Sequence, residues 1–174
     1  MELAWEHAVE DIPDAGLSQH RLATTDELDG LARALDLLSL AALDVEYTIS
    51  RLGGRRYRLT GRLRAELSQT CVVTLEPVES THEETFNAFF WPQEEIPAPH
   101  SGQIDIDDGD EPEPIVGEKI AVGRIVFECL AASVDPFPRK PGAVLDWQPP
   151  RAREATEGLP ESPFAVLAKI RPKA

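Results

Sequence analysis

The stretch Leu43–Leu67 reads LDVEYTISRLGGRRYRLTGRLRAEL, and its periodicity decides the fold. Leu43, Val45, Tyr47 and Ile49 alternate with Asp44, Glu46, Thr48 and Ser50. A period of two sends successive side chains to opposite faces, so this is a strand with one buried side. Gly53-Gly54 follows, and both residues tolerate the positive φ of a tight hairpin turn. Alternation then resumes, with Tyr57, Leu59, Leu63, Ala65 and Leu67 on one face and Arg56, Arg58, Arg62 and Arg64 on the other. Gly61 interrupts the apolar row, where a missing side chain marks a bulge or a close approach.

Moving toward the C-terminus, Cys71, Val73 and Leu75 extend the alternation until Glu76-Pro77-Val78-Glu79 closes it. Residues 80–91 read as a further strand, with Phe86, Ala88 and Phe90 opposite Phe89 and Trp91. Residues 92–117 are proline-rich and acidic and are expected to form a long loop, mobile at its tip. A helix is predicted at about 119–133 from the stripe Val122, Ile125, Val126, Cys129 and Leu130, ending at Asp135-Pro136. Toward the N-terminus, Thr24-Thr25-Asp26-Glu27 is a capping box, and Leu28, Leu31, Leu35 and Leu38 mark one face of a helix over 25–39. Before it, Trp5 and Val9 anchor a short strand or an extended arm.

These elements predict an α+β domain. An antiparallel sheet spans about 43–91, two main helices cover it, and a long acidic loop and a short C-terminal helix complete it. One domain is expected over 1–141, including the acidic loop 92–117. Residues 142–174 then form a flexible connector and a docking segment, with Ser162 as N-cap, Pro163 at the first helical position, then Phe164 and Leu167.

The chain has 174 residues, 31 acids and 17 bases, for a net charge of −14. An evenly acidic surface repels phosphate. Here the charge is segregated: nine acids and no Lys or Arg lie between Glu94 and Glu118, and six arginines and no acid between Arg51 and Arg64. Net charge therefore does not exclude RNA. The acidic N-terminus lacks the basic region and apolar core of a signal peptide, and no apolar run suits a membrane span, so a cytoplasmic protein is expected.

No catalytic constellation emerges. His7, His20, His82 and His100 lie far apart and read as solvated side chains. Cys71 and Cys129 fall on apolar faces and read as core fillers. Asp105-x-Asp107-x-Gly109 lacks the spacing of a calcium loop. No metal, cofactor or small-molecule substrate is expected. The best chemical signal is the arginine row Arg56, Arg58, Arg62 and Arg64, spaced roughly 6.5–7 Å for every second residue and suited to phosphate. Two readings stand open for it: a basic binding face, or solvated charges that meet acids on a neighbouring strand.

Three stretches together resemble the YceD-like family of large ribosomal RNA subunit accumulation proteins. They are Gly61-Arg62-Leu63-Arg64 through Cys71-Val72-Val73-Thr74-Leu75-Glu76-Pro77-Val78, then Gly123-Arg124-Ile125-Val126 through Asp135-Pro136-Phe137-Pro138-Arg139-Lys140-Pro141-Gly142, and the tail Ser162-Pro163-Phe164-Ala165-Val166-Leu167. Many members carry Cys-x-x-Cys in the first stretch. Here Thr74 stands at the second position, so a metal role of cysteine-rich relatives does not carry over. The resemblance implies a non-enzymatic role in synthesis, processing or stability of the 23S rRNA of the large subunit. Precursor rRNA or a large-subunit ribosomal protein is the implied partner. The alternative is an acidic interaction module that binds a basic protein and is unrelated to rRNA.

Overall fold

A computed structural model describes residues 3–96 and 111–145. Its elements run β1 (Glu6–Ala8), β2 (Leu17–Leu22), α1 (Thr25–Ala34), β3 (Ser39–Gly53), β4 (Arg56–Thr70), β5 (Pro77–Pro92), β6 (Glu113–Ile115), β7 (Lys119–Ala121) and α2 (Val122–Ser133). All belong to the first of two units, Met1–Ala143; the second is Val144–Ala174.

The long hairpin forms where the alternation put it. β3 and β4 pair antiparallel, with Val45 opposite Leu63 and Ile49 opposite Leu59. Their turn places Gly53 at φ 113° and Gly54 at φ 58°, a region where a side chain would be strained. β5 pairs antiparallel with β4, and β2 with β3. The resulting five-stranded order is β2-β3-β4-β5-β6.

The expected α+β arrangement, an antiparallel sheet over 43–91 covered by two main helices, is not what forms. The described domain is dominated by strands. Its large sheet extends to β2 and β6 beyond the expected span, and it is mixed, because β6 runs parallel to β5. A separate two-stranded ribbon pairs β1 with β7. The helices, of 10 and 12 residues, are too short to cover strands of 15 and 16 residues alone. At about 1.5 Å per residue against 3.3 Å, each spans less than half such a strand.

The inner face is closed jointly. Val45, Tyr47, Leu59, Leu63, Phe86 and Phe90 come from the sheet, Leu31 from α1, Val126 and Leu130 from α2, and Leu3, Trp5 and Ile12 from the N-terminal segment. Trp5 is the largest nearly fully buried side chain, and its indole N–H donates to Glu27 at 2.7 Å. The guanidinium of Arg21 lies 4.8 Å from its ring centroid.

Helix α1 starts as expected: the Thr24 hydroxyl accepts from the Glu27 amide, and the Glu27 carboxylate accepts from the Thr24 amide. It ends at Ala34, not at residue 39, because Asp36 takes φ 53° and β3 begins at Ser39. Leu38 leaves the helix and donates its amide to the Ser68 carbonyl. Helix α2 begins at Val122, since Lys119–Ala121 is used as β7.

Residues 71–75 form a turn instead of continuing the strand. The Cys71 sulfur accepts amide N–H bonds from Val73, Thr74 and Lys140, each at 3.4 Å. Leu75 closes the turn at φ 61°. The stretch expected as loop 92–117 is ordered at both flanks, by a 3-10 turn at Gln93–Glu95 and by β6. Its tip with Asp105, Asp107 and Gly109 lies outside the described residues, as do His100, the connector from 146 onward and the predicted helix at Ser162–Leu167. Among the described residues, no helix is long and apolar enough to cross a membrane.

Candidate functional site

The outer face of the large sheet, opposite the core, gathers the exposed polar residues. Antiparallel register lines them up across strands: His20, Glu46, Arg62 and Thr85 form one row, and Leu22, Asp44, Arg64 and Glu83 the next. Ser50, Arg58 and Phe89 form another, toward the β3–β4 turn. All four arginines of the sequence reading, Arg56, Arg58, Arg62 and Arg64, stand on this face and are exposed.

Three of the four meet carboxylates. Arg62 pairs with Glu46 on β3 at 2.8 Å, and Arg64 with Glu83 on β5 at 3.0 Å and with Glu66 at 3.5 Å. Arg56 pairs with Glu95 at 2.6 Å. Arg58 differs: its Nε donates to the Asn87 side-chain oxygen at 2.7 Å, and no ion pair holds it among the described residues. Exposed pairs of this kind contribute only about 0–1 kcal/mol each, so these charges remain exchangeable.

Two residue types missed in the sequence reading complete the face. Arg58 lies 5.5 Å from the Phe89 ring centroid, and Arg56 lies 4.2 Å from that of Trp91. Parity alone had set Phe89 and Trp91 apart from Phe86, Ala88 and Phe90. What parity lacked was the β4–β5 register, which depends on the length of the 71–76 turn.

The surface is shallow. A depression of about 450 Å³ is lined by Asp44, Glu46, Arg62, Arg64, Glu83 and Thr85. A second, of about 630 Å³, shares Glu46, Arg62 and Thr85 and reaches Ser18, Thr48 and Thr60. His20 bonds Asp44 at 2.7 Å at its edge. Among the described residues, no group of three or more His, Cys, Asp or Glu side chains is arranged to hold a metal ion.

Cys71 and His7 are among the titratable groups away from this face. Cys71 is buried; the Lys140 amide first, then the Thr74 hydroxyl and amide and the Val73 amide, draw its thiol down to about 6 against the effect of burial. His7 bonds the Tyr47 hydroxyl at 2.7 Å, and burial together with the Arg21 charge lowers its pKa despite Asp11. The unfolded chain therefore binds the His7 proton more readily than the folded one. Stability contributed by neutral His7 is complete above its ordinary value of 6.5 and is lost as pH falls below it. His7→Gln should flatten the fall in urea midpoint between pH 7 and about 5.5, a window set by the ordinary histidine value; an unchanged slope would contradict this.

An open sheet with one packed face and one charged, solvent-facing side is the class of architecture that these contacts define. A family model described as large ribosomal RNA subunit accumulation protein YceD matches residues 59–171. The match takes in β4 from Leu59 onward, the 71–76 turn, β5 and α2, and the chain belongs to this family. No curated protein and no solved structure matches it.

Proposed function

We propose that this protein supports accumulation of large-subunit rRNA, of the 23S type, without catalysing a reaction, and that it does so in the cytoplasm by contacting precursor rRNA through the outer sheet face. The observation that carries this reading is the exposed arginine row itself. Three of its four guanidiniums are held by weak surface pairs with glutamates, and a phosphate replaces a glutamate there at little cost. Long-range repulsion from the net charge of −14 is screened beyond about 8–10 Å at physiological salt, so local contacts decide.

A second reading has its own support. Acids outnumber bases by 22 to 12 among the described residues, and such a surface suits a basic large-subunit ribosomal protein. Family membership weighs against an acidic module unrelated to rRNA.

Capture of the tagged full chain from lysate separates the two. Co-purification of precursor large-subunit rRNA that survives removal of ribosomal proteins, and that is weakened by Arg58→Ala, is the expected result. Recovery of basic proteins without RNA would transfer the function to the second reading.

A further inference from the structure

We infer that the turn end of the outer face, built from Arg56, Arg58, Asn87, Phe89 and Trp91, is a seat for unpaired nucleotides of an RNA single strand. The inference rests on the proposed contact with RNA and narrows it to one form of RNA and one corner of the sheet.

The rows of the face are not equivalent. Toward the far end, the arginines pair with carboxylates of the neighbouring strands, Arg62 with Glu46 on β3 and Arg64 with Glu83 on β5. At the turn end the neighbours on β5 are aromatic. Arg58 stands directly opposite Phe89 in the ladder and keeps its guanidinium carbon 5.5 Å from the ring centroid. Arg56 lies closer over Trp91, at 4.2 Å. Each guanidinium is therefore backed by a ring and oriented by one bond from its Nε, to Asn87 at 2.7 Å for Arg58 and to Glu95 at 2.6 Å for Arg56.

This arrangement offers a base a flat cationic plane. Unpaired bases are recognised by stacking on aromatic rings and on guanidinium planes, whereas bases in a duplex are closed to both. Among the described residues Arg58 uses only its Nε, toward Asn87, so its terminal nitrogens can meet a phosphate while its plane meets a base. The two arginine–aromatic units lie two residues apart along β4, roughly 6.5–7 Å, which places two stacking positions side by side. Stacking accepts any base, so the seat discriminates by strandedness and not by sequence.

Binding of the full chain to a fluorescein-labelled, unstructured RNA of about ten nucleotides, and to the same strand annealed to its complement, tests this. The single strand should bind more tightly than the duplex. Phe89→Leu should weaken single-strand binding roughly tenfold or more. Arg58→Lys keeps the charge and removes the plane, and should also weaken it; Arg33→Gln on α1 serves as the control for lost charge away from the sheet face. Because Arg58 is exposed, its lysine variant reads out the seat even where Phe89→Leu disturbs folding. Equal affinity for duplex and single strand, or single-strand binding indifferent to both Phe89→Leu and Arg58→Lys, would overturn the seat and leave the broader RNA reading intact. Absence of binding to either RNA would overturn both, and co-purification of a basic protein alone would assign the face to that partner.

Discussion

Gly61→Ala should lower the melting temperature by about 5–10 °C, a large effect for a single methyl group. Gly61 lies on the inner face between Tyr47 on β3 and Phe86 on β5. The Phe86 ring folds across the space that a side chain would occupy. A Cβ there would clash with that ring and stand 2.6 Å from the Glu46 carbonyl oxygen. The ring can rotate away, but the carbonyl belongs to the β3 backbone and cannot move without displacing the ladder. Overpacking of this kind costs about 1–3 kcal/mol. Gly61→Ala combined with Phe86→Leu should recover only part of the loss, since Glu46 remains. An unchanged melting temperature for Gly61→Ala would show that β3 and β4 are less tightly coupled than described.

The second large effect is expected for Gly123→Ala. This residue lies in the first turn of α2, where the N-terminal segment crosses it, and its amide donates to the Trp5 carbonyl at 2.9 Å. A Cβ at this position would collide with the Leu3 carbonyl and stand 2.7 Å from the Leu3 Cβ. The N-terminal segment must lift, and with it Trp5, 2% exposed, leaves the core. Losing a buried aromatic costs up to about 3–5 kcal/mol, more than the clash at Gly61. Tryptophan emission should shift to the red, and the first residues should become sensitive to protease before the rest of the chain unfolds. Retention of the parent emission and protease pattern would contradict the crossing.

The difference between what was legible and what was not follows element by element. The hairpin was readable because each side chain of Leu43–Leu67 has one buried or one exposed fate, and alternation records it directly. The start of α1 was readable because capping is local: Thr24 and Glu27 need only each other. β2 was missed because its inward row includes Gln19 and Arg21, which break the apolar alternation; Arg21 is accommodated by the distant Trp5 ring and the Tyr47 hydroxyl. β6 and β7 were missed because strands of three residues form where a partner strand is offered, here β5 and β1. Cys71–Leu75 misled the reading because a turn held by a sulfur acceptor leaves the same apolar spacing as a strand.

The candidate site divides in the same way. The arginine row was placed on the correct face by parity. That Arg62 and Arg64 pair with Glu46 and Glu83 follows from register, which no single strand reveals. The aromatic partners of Arg56 and Arg58 follow from that register too. The face is therefore neither a bare phosphate ladder nor only a solvated surface: its far end is balanced by carboxylates, and its turn end couples cations to rings.

Ultraviolet crosslinking in living cells, followed by recovery of the full chain and sequencing of its adducts, tests the assignment of this face most directly. Adducts to large-subunit precursor rRNA should concentrate on the peptides that carry Arg56–Arg58 and Asn87–Trp91, and should diminish in Phe89→Leu. Recovery of no RNA adduct, or of adducts confined to the helices on the opposite side of the sheet, would contradict it.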